Sequence, residues 1–245
     1  MATKEKAYKL LATQEGISNN IAKSMIDRGL VYVGNKKVMI ARGEIDSKTI
    51  FRVIKVEKPN IIFENEDILV VDKPPYINSD EIERQFKDVQ LLHRLDRETS
   101  GVLMLVKNEE FRQKAIKEFK KDNVYKEYIA WVEGIMSEPI EVDKPIFTSK
   151  KNNRATSNVS SKGKPARSEF FPDLVSSKKT KVKCIIHHGR THQIRTHLRY
   201  VDHPIVGDEQ YGGRRAKRVM LHAFKVRLLG MEFTAPEPKA FIHFE

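Results

Sequence analysis

Five consecutive apolar residues, Val102-Leu103-Met104-Leu105-Val106, follow directly on the polar stretch His93-Arg94-Leu95-Asp96-Arg97-Glu98-Thr99-Ser100-Gly101. The length of the run and the glycine before it predict a buried strand. Asp96 then sits at the mouth of a sheet, where solvent thins out. A carboxylate in such a place is paired by a cation or takes up a proton. Taken alone, the stretch is equally consistent with a turn in which Asp96 caps its own backbone and Arg94 or Arg97 is a surface partner.

The 245 residues around this stretch suffice for one large domain or for a small domain joined to a larger one. No run approaches the roughly 18 apolar residues of a membrane span, and the first residues, Met1-Ala2-Thr3-Lys4-Glu5-Lys6, lack an apolar stretch of signal-peptide type. The single cysteine, Cys184, lies inside the apolar run 182 to 186 and reads as a core residue in a reducing compartment. A cytoplasmic location and no membrane partner are expected. The formal net charge of +12 is the main compositional clue, because basic chains of this size commonly bind nucleic acid. Between Lys144 and Ser168 there are seven basic residues and no acidic one, interleaved with Ser, Asn, Thr and Gly, which predicts a mobile basic loop. A second cluster, Arg214, Arg215, Lys217 and Arg218, follows Gly212-Gly213. Either run alone is also compatible with an ordinary solvated surface.

Apolar positions at helical spacing predict helices over residues 7 to 14 and 18 to 28, with Ser18 as N-cap of the second. Leu30 to Val33, Val38 to Ile40 and Thr49 to Val56 read as short strands. This makes a module of about 56 residues whose basic residues outnumber its acidic ones twelve to six when counted to Lys58. The expected boundaries are 1–56 for the module, 57–60 for a linker marked by Pro59, and 61–245 for the larger domain. In that domain a hairpin is predicted at 61–63 and 68–71, a helix at 109–120 capped by Asn108, and a strand at 124–132 that places Lys126 and Tyr128 on one face. Further strands are expected at 167–174, 181–187, 219–228 and 240–244. Strands and long helices do not alternate regularly, so the fold class is α+β with a mixed, largely antiparallel sheet.

The segment from His187 to Arg199 is unusually polar for its surroundings, and Thr191 can cap a helix running to about Tyr200. Its histidines lack the spacing of a metal site, with no Cys pair and no HExxH, so no metal is expected.

Two resemblances follow from these residues. LLATQEGISNNIAKSMIDRGLVYVGNKKV resembles the small RNA-binding domain named after ribosomal protein S-four, with its Gly34-Asn35 turn in swapped order. In the larger domain four segments occur in the order and approximate spacing of the RluA-type RNA pseudouridine synthases: His93-Arg94-Leu95-Asp96-x-x-Thr99-Ser100-Gly101, Lys126-x-Tyr128, Gly163-Lys164-Pro165-Ala166, and Gly189-Arg190-Thr191-His192-Gln193-Ile194-Arg195-x-His197-Leu198. Residues 68–74, 203–212 and 221–223 match as well. The segment after Lys73-Pro74 departs from the family, being short and charged where relatives carry a longer apolar one.

The resemblance implies an isomerase that detaches the base of a uridine in RNA from its ribose, turns it and rejoins it through ring carbon 5. It implies no cofactor. Asp96 is the implied nucleophile, Arg195 its pairing cation, and Tyr128 both the aromatic face for the uracil and a proton-transfer group. Arg94, Lys126, Leu221, Arg190 and His192 are the implied substrate-binding residues. The expected partner is RNA, ribosomal RNA of the large subunit ahead of transfer RNA, bound by a monomer. A non-catalytic RNA-binding or ribosome-assembly factor is the competing reading.

Overall fold

The computed structural model describes residues 3–151 and 154–242 and divides into two units, Met1–Glu57 and Lys58–Glu245.

In the first unit, β1 (Lys4–Lys6) leads into α1 (Ala7–Glu15) and α2 (Asn19–Asp27). The Ser18 hydroxyl accepts the Ile21 N–H at the start of α2, as its position before the apolar-periodic run predicts. Leu10 and Leu11 of one helix meet Ala22 and Ile26 of the other, and Val31 and Phe51 close the core. The strands differ from those expected: β2 (Val31–Val33) and β5 (Arg52–Val53) are shorter, residues 38–40 are not a strand, and β2 pairs instead with β3 (Lys36–Lys37) as well as with β5, while β4 (Glu44–Asp46) pairs β1. Residues 46–49 are spent on a turn, in which the Asp46 carboxylate takes the Lys48 N–H and the Asp46 carbonyl takes that of Thr49. Only Arg52–Val53 is then left to reach β2.

The second unit is built on a ten-stranded sheet. In chain order its strands are β6 (Asn60–Glu64), β7 (Ile68–Lys73), β8 (Gln90–Leu91), β9 (Ser100–Val106), β10 (Tyr125–Glu133), β11 (Ile140–Asp143), β14 (Arg167–Ser176), β15 (Lys179–Ile186), β16 (Leu221–Leu228) and β17 (Met231–Thr234). Their spatial order is β11-β14-β15-β10-β16-β9-β7-β6, with β17 beside β16 and β8 beside β9. Every pairing is antiparallel except β9 with β16. The mixed, largely antiparallel sheet expected from the sequence is therefore present. Helix α3 (Ser79–Glu83) lies between β7 and β8, and α4 (Glu109–Lys120) starts at Asn108, whose side chain accepts the N–H groups of Glu110 and Phe111.

All seven residues of β9 are buried, so the apolar run has the character its composition predicted. One apolar cluster gathers Val70, Val102, Met104, Val226 and Ala115 of α4. A second gathers Trp131, Phe170, Val182, Cys184 and Leu221 with Ile194 and Leu198 of α5 (Gln193–Tyr200).

Three expectations are corrected. Residues 144–168 are not a loop: β12 (Ile146–Lys151) and β13 (Arg154–Val159) form an antiparallel hairpin. Small hydroxylated residues pair well across strands, and Thr148 and Ser157 are bonded at 2.8 Å. The expected strand at 240–244 is instead helical at α6 (Lys239–Ile242), with 243–245 outside the described residues. There Phe241 is buried, and its carbonyl accepts the Trp131 indole N–H at 3.0 Å. Finally, Thr191 does not cap α5. His192 is the capping residue, in a left-handed conformation and without a side-chain cap bond.

Gly101 fixes how the sheet presents Asp96. It pairs Ala223 across the parallel β9–β16 contact with φ +113°, and a Cβ there would lie 2.1 Å from the Ala223 carbonyl oxygen. Only glycine permits that approach.

Candidate active site

The turn carrying Asp96 hangs from the start of β9 and is tied at several points. The Thr99 N–H closes onto the Asp96 carbonyl at 3.1 Å, and the Tyr76 N–H onto that of Arg97 at 2.7 Å. Ser79 bonds both the N–H and the carbonyl of Leu95, at 3.0 and 3.2 Å. Beneath the turn the fully buried Lys73 ammonium donates to the carbonyls of Pro74, Ile77 and Arg97. Burial pulls the Lys73 pKa down to about 7, against the upward pull of the Glu98 and Asp96 carboxylates. His93 anchors the other side: its Nε2 accepts the Met104 N–H at 3.2 Å, and its ring stacks on Phe119. Burial, then the Lys126 charge, lowers its pKa to about 4.

Facing this turn, α5 presents Arg195. The guanidinium Nη1 donates to Asp96 Oδ2 at 3.2 Å, while Nε and Nη2 hold both oxygens of Asp208 at 2.6 and 2.8 Å. Arg195 and Asp208 are almost wholly buried, whereas the Asp96 side chain keeps a quarter of its exposure. Burial disfavours charge on Arg195, but the bonds to Asp208 outweigh it and push its pKa well above the usual arginine value. The cation is thus fixed by one carboxylate and offered to another. Glu98 adds a further negative charge: burial opposes its ionisation, yet Arg97, then Arg195, holds its carboxyl below the usual range.

On the other side of Asp96, His192 Nε2 stands 3.7 Å from Oδ1. Its Nδ1 is 2.7 Å from the Tyr211 hydroxyl, and burial lowers its pKa. Tyr128, on β10, is half-buried. Burial, then the negative charge of Asp96, raises its phenol pKa far above the ordinary value, so the resting side chain is a neutral phenol. A partly open carboxylate between a fixed arginine and a neutral imidazole, with a phenol nearby, has the parts for nucleophilic attack and proton transfer.

Comparison with known proteins identifies the family to which the chain belongs. The sequence pattern of the family described as RNA pseudouridylate synthase matches residues 52–200, more than half of the chain. The chain belongs to the RNA pseudouridylate synthase family. It is 52% identical over 240 residues to an uncharacterized RNA pseudouridine synthase of Helicobacter pylori, covering 97% of this chain and 99% of that one. To the ribosomal large subunit pseudouridine synthase D of Pasteurella multocida it is 28% identical over 92% of this chain and 85% of that protein. Among solved structures, human RNA pseudouridylate synthase domain containing 1 superposes with a TM-score of 0.67 at 29% identity, covering 76% of this chain and 86% of that one. The enzyme class expected from the motifs, an isomerase that modifies RNA, is therefore that of the family.

Of the residues singled out by sequence, the structure of this family member brings Asp96, Arg195 and His192 together directly and sets Tyr128 within the field of Asp96. The others are placed apart. Arg94 is exposed and paired with Asp80 at 2.8 Å. Lys126 is buried, with its ammonium 3.3 Å from the His187 carbonyl. Arg190 donates to the Pro165 carbonyl at 2.8 Å and lines a groove of about 510 Å³ with Leu92, Ile116 and Phe119. Leu221 is 3% exposed and packs in the core, opposite Ala130 of β10. Arg218 of the second basic cluster turns inward to Ser100 and the Leu221 carbonyl. Asp208, Tyr211, Glu98 and Lys73 were missed as functional residues. Asp208 and Tyr211 lie in the matching segment 203–212, and Lys73 in 68–74, but nothing in the sequence says what they touch.

Proposed function

We propose that this protein isomerises uridine to pseudouridine in structured RNA, with large-subunit ribosomal RNA as substrate and Asp96 as the nucleophile. The observation that carries the reading is the Asp96–Arg195 contact, in which a carboxylate open to solvent on one side is kept beside an arginine anchored elsewhere. In the proposed reaction the bond from ribose C1′ to N1 breaks and a bond from C1′ to C5 forms; C5 gives up a proton and N1 gains one. Tyr128 supplies the face against the uracil and the phenol for proton transfer. Arg94 either fills the place of the extruded nucleotide or clamps its phosphate, and Arg190, Lys126, His192 and Leu221 complete the substrate-binding set. Extrusion costs a few kcal/mol of unstacking, which the basic hairpin β12–β13 offsets through phosphate contacts.

The choice of ribosomal RNA is supported by the relative from Pasteurella multocida, whose name specifies the large ribosomal subunit, with transfer RNA the next candidate. We assign residues 1–56 to an S-four-like RNA-binding domain, 57–60 to a linker and 61–245 to the catalytic domain, working as a monomer in the cytoplasm. Among the described residues no helix is long and apolar enough to cross a membrane. The test is to incubate the protein with ribosomal and transfer RNA transcripts and map pseudouridine by carbodiimide-induced primer-extension stops. New stops in large-subunit RNA are expected; stops confined to transfer RNA refute the substrate, and none in either refutes the function.

A further inference from the structure

The hydrogen bonds around Tyr211 determine which nitrogen of His192 carries the proton. Tyr211 is 1% exposed, and its hydroxyl has two partners, the Ser157 N–H at 2.8 Å and His192 Nδ1 at 2.7 Å. A backbone N–H can only donate, so the phenolic oxygen accepts from Ser157. The hydroxyl has one proton of its own. If His192 Nδ1 also donated, that proton would be buried without a partner, at a cost of about 1–3 kcal/mol. The arrangement that satisfies every atom has the Tyr211 O–H donating to Nδ1 as an acceptor. A neutral imidazole then carries its proton on Nε2, the nitrogen facing Asp96 Oδ1 at 3.7 Å. Its other oxygen, Oδ2, belongs to Arg195.

Tyr211 is itself held from two directions. Its ring lies under the Arg195 guanidinium, 4.8 Å away, and edge-on to His192. Ser157, on β13, is fully buried; its hydroxyl donates to the Thr191 carbonyl and receives that of Thr148 from β12. A parallel link reaches the other partner of Asp96. Gln210 donates to the Ala155 carbonyl of β13 at 2.9 Å and accepts from Arg195 Nη2 at 3.4 Å. The left-handed backbone of His192, φ 55°, is an uncommon conformation for a residue with a side chain. It is what sets the ring between Tyr211 and Asp96.

We propose that Tyr211 is a positioning residue of the reaction: it fixes neutral His192 with its proton on Nε2, so that the two oxygens of Asp96 face different partners, arginine on one and imidazole N–H on the other. This rests on Asp96 being the reacting carboxylate. A neutral donor orients the second oxygen without transferring a proton to it, and so leaves the carboxylate charged for attack. The opposite tautomer would turn a lone pair toward a carboxylate and repel it.

The test has a spectroscopic and a kinetic arm, both on the full-length protein. Long-range proton–nitrogen NMR correlations, assigned by comparison with His192→Gln, report which ring nitrogen of His192 is protonated. Nε2–H is expected, and Nδ1–H overturns the proposal whatever the kinetics show. In Tyr211→Phe the ring packing stays while the hydroxyl is lost, and the single-turnover rate is expected to fall about tenfold, the upper range of what one neutral hydrogen bond is worth. RNA affinity should stay within about twofold. A wild-type rate, or a loss of affinity as large as the loss of rate, refutes the positioning role. His192→Gln and His192→Ala share the backbone strain, but only Gln offers an N–H near the Nε2 position; equal rates for the two also refute it. Failure of the Asp96 reading is distinguishable, because it shows as turnover by Asp96→Asn and leaves the tautomer result unaffected.

Discussion

Replacing Arg195 by lysine tests the site through its geometry, because charge is kept and only shape is lost. The guanidinium serves two carboxylates at once, Asp208 through Nε and Nη2 at 2.6 and 2.8 Å and Asp96 through Nη1 at 3.2 Å. A lysine ammonium is a single point. It will settle on Asp208, the carboxylate with 1% exposure, since an unpaired charge there is the costlier alternative. Asp96 then loses a charge-assisted bond worth about 1.5–3 kcal/mol, which corresponds to roughly 10- to 150-fold in rate if the bond is needed in the transition state. The loss of one of the two Asp208 bonds should lower stability by about 1–3 kcal/mol. The assay is single turnover at saturating enzyme on RNA tritiated at uracil C5, since the proposed reaction gives that hydrogen to solvent. A rate within about threefold of wild type, with weakened RNA affinity, would mean that Arg195 serves a phosphate and not Asp96.

Gly101→Ala should destabilise the second unit by several kcal/mol, because the added Cβ meets the Ala223 carbonyl at 2.1 Å and the φ of +113° is unfavourable for any side chain; an unchanged melting temperature would remove Gly101 from the account. Acid should destabilise the fold through His222 and His93, whose pKa values burial lowers to about 3 and about 4. Both lie below the unfolded value, so the unfolded state binds the proton first and stability falls as pH drops from 6.5. For His222 the loss approaches about 3 kcal/mol by pH 4, and urea midpoints should fall less steeply with acid in His222→Asn; an identical pH dependence contradicts the assignment. Deleting residues 1–57 should weaken RNA binding and flatten its salt dependence more than it slows single turnover, whereas an unchanged salt slope would deny the module a phosphate-binding role.

What the sequence made legible was local. The run at 102–106 announced a buried strand because no polar residue interrupts it, and Ser18 and Asn108 marked helix starts because capping chemistry is short-range. Misread were the places where distant chain decides the outcome. Residues 144–168 look like a loop by composition, but Thr148 and Ser157 are partners across a hairpin, and Ser157 is buried against residues near 191 and 211. Thr191 is a better helix cap by type than His192, yet α5 starts after His192, whose side chain bonds Tyr211 and not the helix N-terminus. The site was legible to the same extent. Asp96, Arg195 and Tyr128 stand out by their residue types within motifs, but the pairing of Arg195 with Asp208 joins residues 13 apart through tertiary packing. Arg218 sits in a basic run that reads as solvated surface, and only the fold shows it bonded to Ser100.

The central claim is that Asp96 is the group that reacts. Asp96→Asn keeps the size of the side chain and an oxygen for Arg195 while removing the charge that attacks. Single-turnover conversion of uridine in large-subunit ribosomal RNA by this variant, measured beside its RNA affinity, decides the matter. The account predicts no pseudouridine and near-normal binding; pseudouridine formed at a rate comparable to wild type would contradict it.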